Sequence, residues 1–120
     1  MATYILTVTE QQLEFIRDAT GLLSRIAGGQ VYDALKYAPI DPENYWEARG
    51  ALLRALKPFE DKTFSRSIID SGCWDIYQVA NHRLAWDRMP EGIPFCINFY
   101  EPIQHASEPL PTVTRVEAQP

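Results

Sequence analysis

The sequence predicts an α+β fold in which three to four helices pack on a small antiparallel sheet. Two segments far apart in the chain, 4–8 and 95–100, alternate apolar and polar side chains, which is typical of strands. Between them, apolar residues recur every three or four positions, as on one face of a helix. Because a strand needs a partner for its backbone, we expect the sheet to consist of an N-terminal strand and C-terminal strands.

The N-terminal strand is expected over residues 4–8 and the first helix over residues 10–27. Between the two segments, Thr9 and Gln12 have the spacing of a capping box, in which each side chain accepts a hydrogen bond from the other residue's backbone N–H. The pair Gly28-Gly29 should end the helix, since glycine readily takes the left-handed conformation found after helices.

Two further helices are expected in the middle of the chain. The first is short and covers about residues 30–38. The second should begin at Asp41 and Pro42, because aspartate is a good N-cap and proline fits the first helical position. Residues 57–58 (Lys-Pro) should end that helix. Residues 59–69 show no clear period, and we interpret them as a loop.

A last helix should follow Asp70-Ser71-Gly72 and reach Arg88. Apolar side chains recur at helical spacing from Cys73 to Leu84, which predicts that this face is buried.

The C-terminal part of the chain is expected to be extended. Strand 95–100 lies between two prolines, and residues 102–120 form a proline-rich strand or tail. Within that tail, residues 112–116 are predicted to be an edge strand, and residues 118–120 should fray.

The length and composition predict one soluble domain spanning residues 1–120. A chain of 120 residues with 46 % apolar residues can build one core. No apolar run approaches the length of about 18 residues that a membrane span needs. The N-terminus has neither the basic region nor the long apolar region of a signal peptide, so we expect a cytoplasmic protein with free thiols.

Charge and motifs narrow the function classes. With 11 basic and 16 acidic residues the net charge is −5, which disfavours binding to duplex nucleic acid. The two cysteines and two histidines lack the spacing of a metal site. We find no phosphate-binding loop, no dinucleotide fingerprint and no hydrolase motif. We therefore expect no metal, no cofactor and no catalytic residues, although an enzyme is left open.

The best candidate site is the helical stretch 81–88, which combines an aromatic ring, an imidazole and guanidinium groups. Such groups suit a ligand with a base and phosphates, because rings stack on bases and arginine binds phosphate. Arg49 forms a smaller cluster with Trp46. The predicted ligand-binding residues are His82, Arg83, Trp86 and Arg88, with Arg25, Arg49 and Arg115 as lesser candidates.

The same residues fit two other interpretations. Arg83 and Asp87 are four residues apart and can form an ion pair on a plain helix surface. Trp86 can instead fill the edge of the core or a subunit contact, where tryptophan and arginine are enriched. Since a small sheet is marginally stable alone, we also expect a homo-oligomer.

Two pairs of segments resemble a group of small phage-encoded proteins. The first pair is 6–13 and 23–30, a strand followed by a capped helix that ends in an SR-x-x-x-GQ-like turn. The second pair is 74–79 and 82–88, a helix that ends in HRLAWDR. The group has no settled chemistry, and residues 36–70 lie outside the resemblance.

Among small phage proteins, one functional class is similar in size and in lacking catalytic motifs. These are anti-defence sponges that sequester the nucleotide signals of Thoeris or cyclic-oligonucleotide systems. They are oligomeric and bind ligand through arginine and aromatic side chains at subunit boundaries. By analogy, the expected function is a phage counter-defence protein that sequesters a small nucleotide immune signal in the infected host cell.

Two alternatives stay open. The first is an inhibitor that binds a host protein through an acidic surface, which the net charge of −5 would favour. The second is a small enzyme that degrades a nucleotide signal, which would need a metal site or paired carboxylates.

Overall fold

The computed structural model describes residues 2–61 and 68–116, and this part of the chain is helical. Its α-helices are α1 (Glu10–Ala27), α2 (Tyr45–Leu56) and α3 (Ile68–Arg88). Short 3-10 helices lie between and after them, at Val31–Lys36, Pro42–Asn44, Lys57–Phe59 and Ile97–Phe99. Within the described ranges there is no β-strand.

The predicted α+β fold is therefore wrong. Residues 4–7 are exposed, Val8 is half-buried, and the segment pairs with no other described segment, so its alternation does not produce a strand. In the second predicted strand, Phe95 has a φ of 61°, which is incompatible with an extended chain. Ile97–Phe99 then forms a 3-10 turn. Alternation alone does not make a strand when no neighbouring backbone is in place to pair with it.

The predicted edge strand in the tail is wrong, and parts of the predicted tail and loop lie outside the described residues. Residues 112–116 do not pair as an edge strand. The frayed end predicted for 118–120 lies outside the described residues, and so do residues 62–67 of the predicted loop.

The prediction for α1 is confirmed at both ends. The Thr9 hydroxyl accepts from the backbone N–H of Gln12 at 3.1 Å, and the Gln12 side chain accepts from the Thr9 N–H at 2.9 Å. Both halves of the capping box are thus present. The helix ends at Ala27, and Gly29 takes the left-handed conformation with a φ of 96°.

The other helices differ from prediction mainly in their bounds. The expected helix 30–38 is the 3-10 helix Val31–Lys36. Asp41 caps the next turn by accepting from the N–H of Glu43 at 3.0 Å, and that turn leads into α2. α3 ends at Arg88 as predicted, but it begins at Ile68 and so includes the residues expected to precede it.

α1 and α3 pack together where Gly21 faces Tyr77. A β-carbon at position 21 would lie 2.8 Å from Cδ2 of Tyr77, which is closer than carbon atoms pack. The Tyr77 ring stacks on Trp74, with ring centres 4.7 Å apart. The absence of a side chain at Gly21 is therefore what allows the helices to approach this closely.

A buried polar contact joins the same two helices one turn further along α1. The hydroxyl oxygen of Ser24 lies 2.7 Å from a carboxylate oxygen of Asp70 and 3.0 Å from its backbone carbonyl. Both residues are buried. Ala80 and Leu84 are the buried apolar residues of α3, as the predicted periodicity requires, whereas Ile76 from the same predicted face is exposed.

The C-terminal segment lies against α3 through the buried side chain of Asp75. The carboxylate accepts from the backbone N–H of His105 at 3.0 Å and from that of Ala106 at 2.9 Å. Next to it, the Gln78 amide exchanges two hydrogen bonds with the backbone of Ile103. The side chains of Asp75 and Gln78 bind backbone atoms of the C-terminal segment. These contacts therefore fix the path of the segment whatever its own side chains are.

We predict that Gly21→Ala lowers the free energy of unfolding by about 1–2 kcal/mol, because overpacking against Tyr77 exceeds the gain in helix propensity. Gly72→Ala is the matched control in α3, since no heavy atom lies within 4 Å of its added carbon. The control should raise the same free energy by about 0.5–1 kcal/mol. Urea denaturation followed by circular dichroism checks both, and equal stabilisation by the two variants would contradict the packing argument.

We predict that Asp75→Asn releases the segment around His105, because an amide offers one acceptor oxygen where the carboxylate uses two. Hydrogen–deuterium exchange should become faster at the amides of His105 and Ala106. Glu108→Gln is the control, since it removes the same charge from an exposed position of the tail. Unchanged protection in the Asp75 variant would show that other contacts hold the segment.

Candidate functional site

His82 and Trp86, the centre of the predicted site, contact each other and the chain that follows α3. The indole N–H of Trp86 lies 3.1 Å from Nε2 of His82 and 3.3 Å from the carbonyl oxygen of Phe99. The Trp86 and Phe99 rings meet edge to face, with centres 5.0 Å apart. Gly92 approaches the indole so closely that a β-carbon there would lie 3.0 Å from it. These contacts hold the Ile97–Phe99 turn against α3.

Arg83 and Arg88 are paired with carboxylates of the chain itself. Arg83 lies 2.6 Å from Asp87, which confirms the ion pair that the spacing allows. Arg88 contacts both Glu10 and Glu14, so the end of α3 is joined to the start of α1. The hydrogen bonds that Arg88 donates to the carboxylates of Glu14 and Glu10 raise the pKa of Arg88, so the group stays cationic. Ligand binding by these four residues stays a prediction.

The three lesser candidates lie in different places. Arg115 lies in the exposed C-terminal segment. Arg25 and Arg49 each line a cavity. The seven predicted residues thus do not lie together in one site. Arg25 and Arg49 line two cavities on either side of the Val31–Lys36 turn.

The first cavity lies between α1, α3 and the Val31–Lys36 turn and has a volume of about 330 Å³. Asp33 is one of its lining residues and is buried. One carboxylate oxygen lies 3.6 Å from Nε of Arg25, and the other lies 3.6 Å from Nζ of Lys36. The complete lining is Arg17, Asp18, Arg25, Asp33, Lys36, Tyr37, Tyr77, Asn81 and Asn98.

The residues that line the first cavity carry a net positive charge. Its lining holds three basic groups and two carboxylates. Arg17 is paired with Asp18 at 3.0 Å, while the single charge of Asp33 is shared by Arg25 and Lys36. In a chain of net charge −5, this local excess favours an anionic ligand.

The second cavity lies between the same turn and α2, has a volume of about 620 Å³ and is rich in aromatic side chains. The guanidinium carbon of Arg49 lies 4.1 Å from the centre of the Tyr32 ring and 5.4 Å from that of Trp46. Both distances are within the range of cation–π contacts. Trp46 is 73 % exposed, so its ring is open to a stacking partner.

Asp33 and Lys36 line both cavities, which therefore adjoin, and together we name them the Asp33 cleft. Sequence reasoning missed Tyr32, Asp33 and Lys36 as site residues. The spacing of Asp33 and Lys36 is the one local signal of their ion pair. The contact between Asp33 and Arg25 depends on how the Val31–Lys36 turn packs against α1. The spacing of residues in the sequence does not predict that packing.

His105 and Cys73, whose residue types occur in catalytic sites, each lie near an aspartate carboxylate. Nδ1 of His105 lies 3.2 Å from Asp75, and that carboxylate also accepts the backbone hydrogen bonds that hold the tail. Burial, followed by the nearby Asp70 carboxylate, raises the pKa of the Cys73 thiol, which disfavours a reactive thiolate. Among the described residues, no group of three His, Cys, Asp or Glu side chains could hold a metal ion.

No protein-family model, no curated protein and no solved structure matches this chain. The resemblance to small phage proteins therefore stays a prediction. In the described ranges, none of the helices is both long enough and apolar enough to span a membrane.

Proposed function

We propose that this chain is a phage counter-defence protein that binds and sequesters a small nucleotide immune signal in the cytoplasm of the infected cell, and that the Asp33 cleft is the binding site. The observation that supports the proposal is that a cationic cavity adjoins an aromatic one. A nucleotide matches this arrangement, since its anionic phosphates suit the cationic cavity and its flat aromatic base suits the aromatic cavity.

The cationic cavity is suited to the phosphate end of the ligand. Arg25 and Lys36 are both partly exposed there, and they share one carboxylate, so their combined charge is only half neutralised. Asp33 holds the two cations in place before a ligand arrives, which reduces the entropy lost on binding. Arginine adds two parallel donors to a phosphate, and lysine adds a point charge.

The aromatic cavity is suited to the base. Trp46 offers an open ring face, and Arg49, held over Tyr32, adds a planar cation beside it. Stacking of a base on an aromatic side chain contributes about 1–3 kcal/mol. Both cavities have the size of small-molecule sites, which span about 300–1,000 Å³. Lys36 borders both cavities, where a sugar and its first phosphate would lie.

We predict that one member of a panel of cyclic and ADP-ribose-derived nucleotides raises the melting temperature of the protein by several degrees. A ligand at about 100 times its Kd stabilises the folded state by about 2.7 kcal/mol. Trp46→Ala and Lys36→Ala should each weaken binding of that nucleotide at least about tenfold in isothermal titration calorimetry, because each removes a contact of more than about 1 kcal/mol.

Arg54→Ala is the matched control, since Arg54 is an exposed cation of α2 that does not line the cleft. Arg83→Ala and Arg88→Ala test the site on α3 that the sequence predicts. If these two variants lose affinity while the Trp46 and Lys36 variants keep it, the ligand binds on α3 and the cleft assignment is wrong.

Recovery of the bound nucleotide after heat denaturation separates sequestration from catalysis. A sponge returns the signal intact, whereas chemical change of the signal would make the protein an enzyme. If no nucleotide in the panel binds, the sponge proposal fails, and the inhibitor of a host protein becomes the better interpretation.

A further inference from the structure

The chain exposes much more surface than a folded monomer of its size. A monomeric protein of 13.7 kDa exposes about 6,600 Å², whereas this chain exposes 9548 Å². Its radius of gyration is 17.1 Å, against about 13.6 Å for a globular domain of 120 residues. The excess of about 2,900 Å² is more than one chain contributes to a stable homodimer, which is about 1,000–2,500 Å².

Part of this surface is an uncharged stripe on α1. Phe15 and Leu23 are 61 % and 47 % exposed, and Ala19 between them is exposed as well. With 3.6 residues per turn, these positions lie on the side of α1 opposite Gly21 and Ser24, which face α3. We name this surface the α1 outer stripe. It consists of the exposed side chains of Phe15, Ala19 and Leu23 and the half-buried side chains of Leu22 and Ile26.

The spacing of the stripe is that of a helix–helix seam. Counting from Gln12, uncharged residues recur at intervals of three, four, three and four, through Phe15, Ala19, Leu22 and Ile26. This alternation is the pattern of positions a and d in a coiled coil, where a second helix packs along the stripe. The small side chain of Ala19 at its middle allows close approach of the two backbones.

The segment before α1 adds apolar surface. Tyr4 and Ile5 are 91 % and 99 % exposed, and Leu6 is 75 % exposed. Three consecutive large apolar side chains in water are costly, at about 1.5–3 kcal/mol each relative to burial. Residues 4–6 directly precede the capped start of α1, so they can contact a second helix that packs on the α1 outer stripe.

We propose that the α1 outer stripe binds the same stripe of a second copy of this chain, with residues 4–6 of each copy covering the partner. A second copy fits better than another partner because the stripe carries no charge to select a charged surface and is complementary to itself. The excess area of about 2,900 Å² is also large enough to supply the interface of a stable homodimer. This interface is independent of the proposed ligand, because the stripe lies on the side of α1 away from α3.

The test is the solution mass of the whole chain by sedimentation velocity from about 1 to 100 µM, a range over which a dimer gains stability by mass action. The wild type should have at least twice the monomer mass of 13.7 kDa. The double variant Phe15→Glu, Leu23→Glu should sediment as a monomer, because it would bury four carboxylates in the dimer. Phe59→Glu, at an apolar position outside the stripe that is even more exposed, should leave the mass unchanged.

A milder variant guards against loss of folding. Leu23→Ser should raise the dimer dissociation constant at least about tenfold, since it removes one buried aliphatic side chain from each copy. A wild-type monomer at the highest concentration would overturn the proposal. An oligomer whose mass and dissociation constant are unchanged in both stripe variants would also overturn it, because the interface would then lie elsewhere.

Discussion

The close approach of α1 and α3 at Gly21 is the constraint on which the described structure depends. The Tyr77 ring occupies the space that a side chain at position 21 would take. That contact brings Ser24 within hydrogen-bond distance of the buried Asp70. It also places Arg25 over the Tyr77 ring, 5.6 Å from its centre, on the wall of the first cavity. A larger separation of the two helices would open the cationic end of the Asp33 cleft.

Buried carboxylates organise the rest of the molecule. Asp33, Asp70 and Asp75 are all buried, although the chain is acidic and has ample surface for its charges. Each one accepts hydrogen bonds or faces cations: Asp75 holds the tail backbone, Asp70 accepts from Ser24, and Asp33 faces Arg25 and Lys36. These three charges are therefore used inside the fold, and Glu10 and Glu14 are paired with Arg88. The acidic surface is accordingly weaker than the net charge implies, which favours a ligand cleft over acidic mimicry.

The two sides of α1 have different chemistry, and this difference links the two proposals. The inner side faces α3 through glycine and serine and carries Arg25 to the cleft. The outer side carries the uncharged stripe. A helix at a protein surface usually has one apolar side, so an apolar outer stripe on a helix that already packs on α3 favours a second surface that would cover it. Assembly through α1 would thus leave the cleft on each copy open to solvent and ligand.

Features that depend on a few neighbouring residues can be predicted from the amino-acid sequence. The capping box of Thr9 and Gln12, both ends of α1 and the Arg83–Asp87 pair follow from local spacing, because their partners lie within about one helical turn. The predicted sheet is wrong because alternating apolar and polar side chains indicate only that a segment can be extended. A strand also needs a second extended segment beside it, and the described tertiary structure does not supply one. The cleft could not be predicted for the same reason. Arg25, Asp33 and Arg49 lie on different elements, and only the folding of the Val31–Lys36 turn between α1 and α2 brings them to one place.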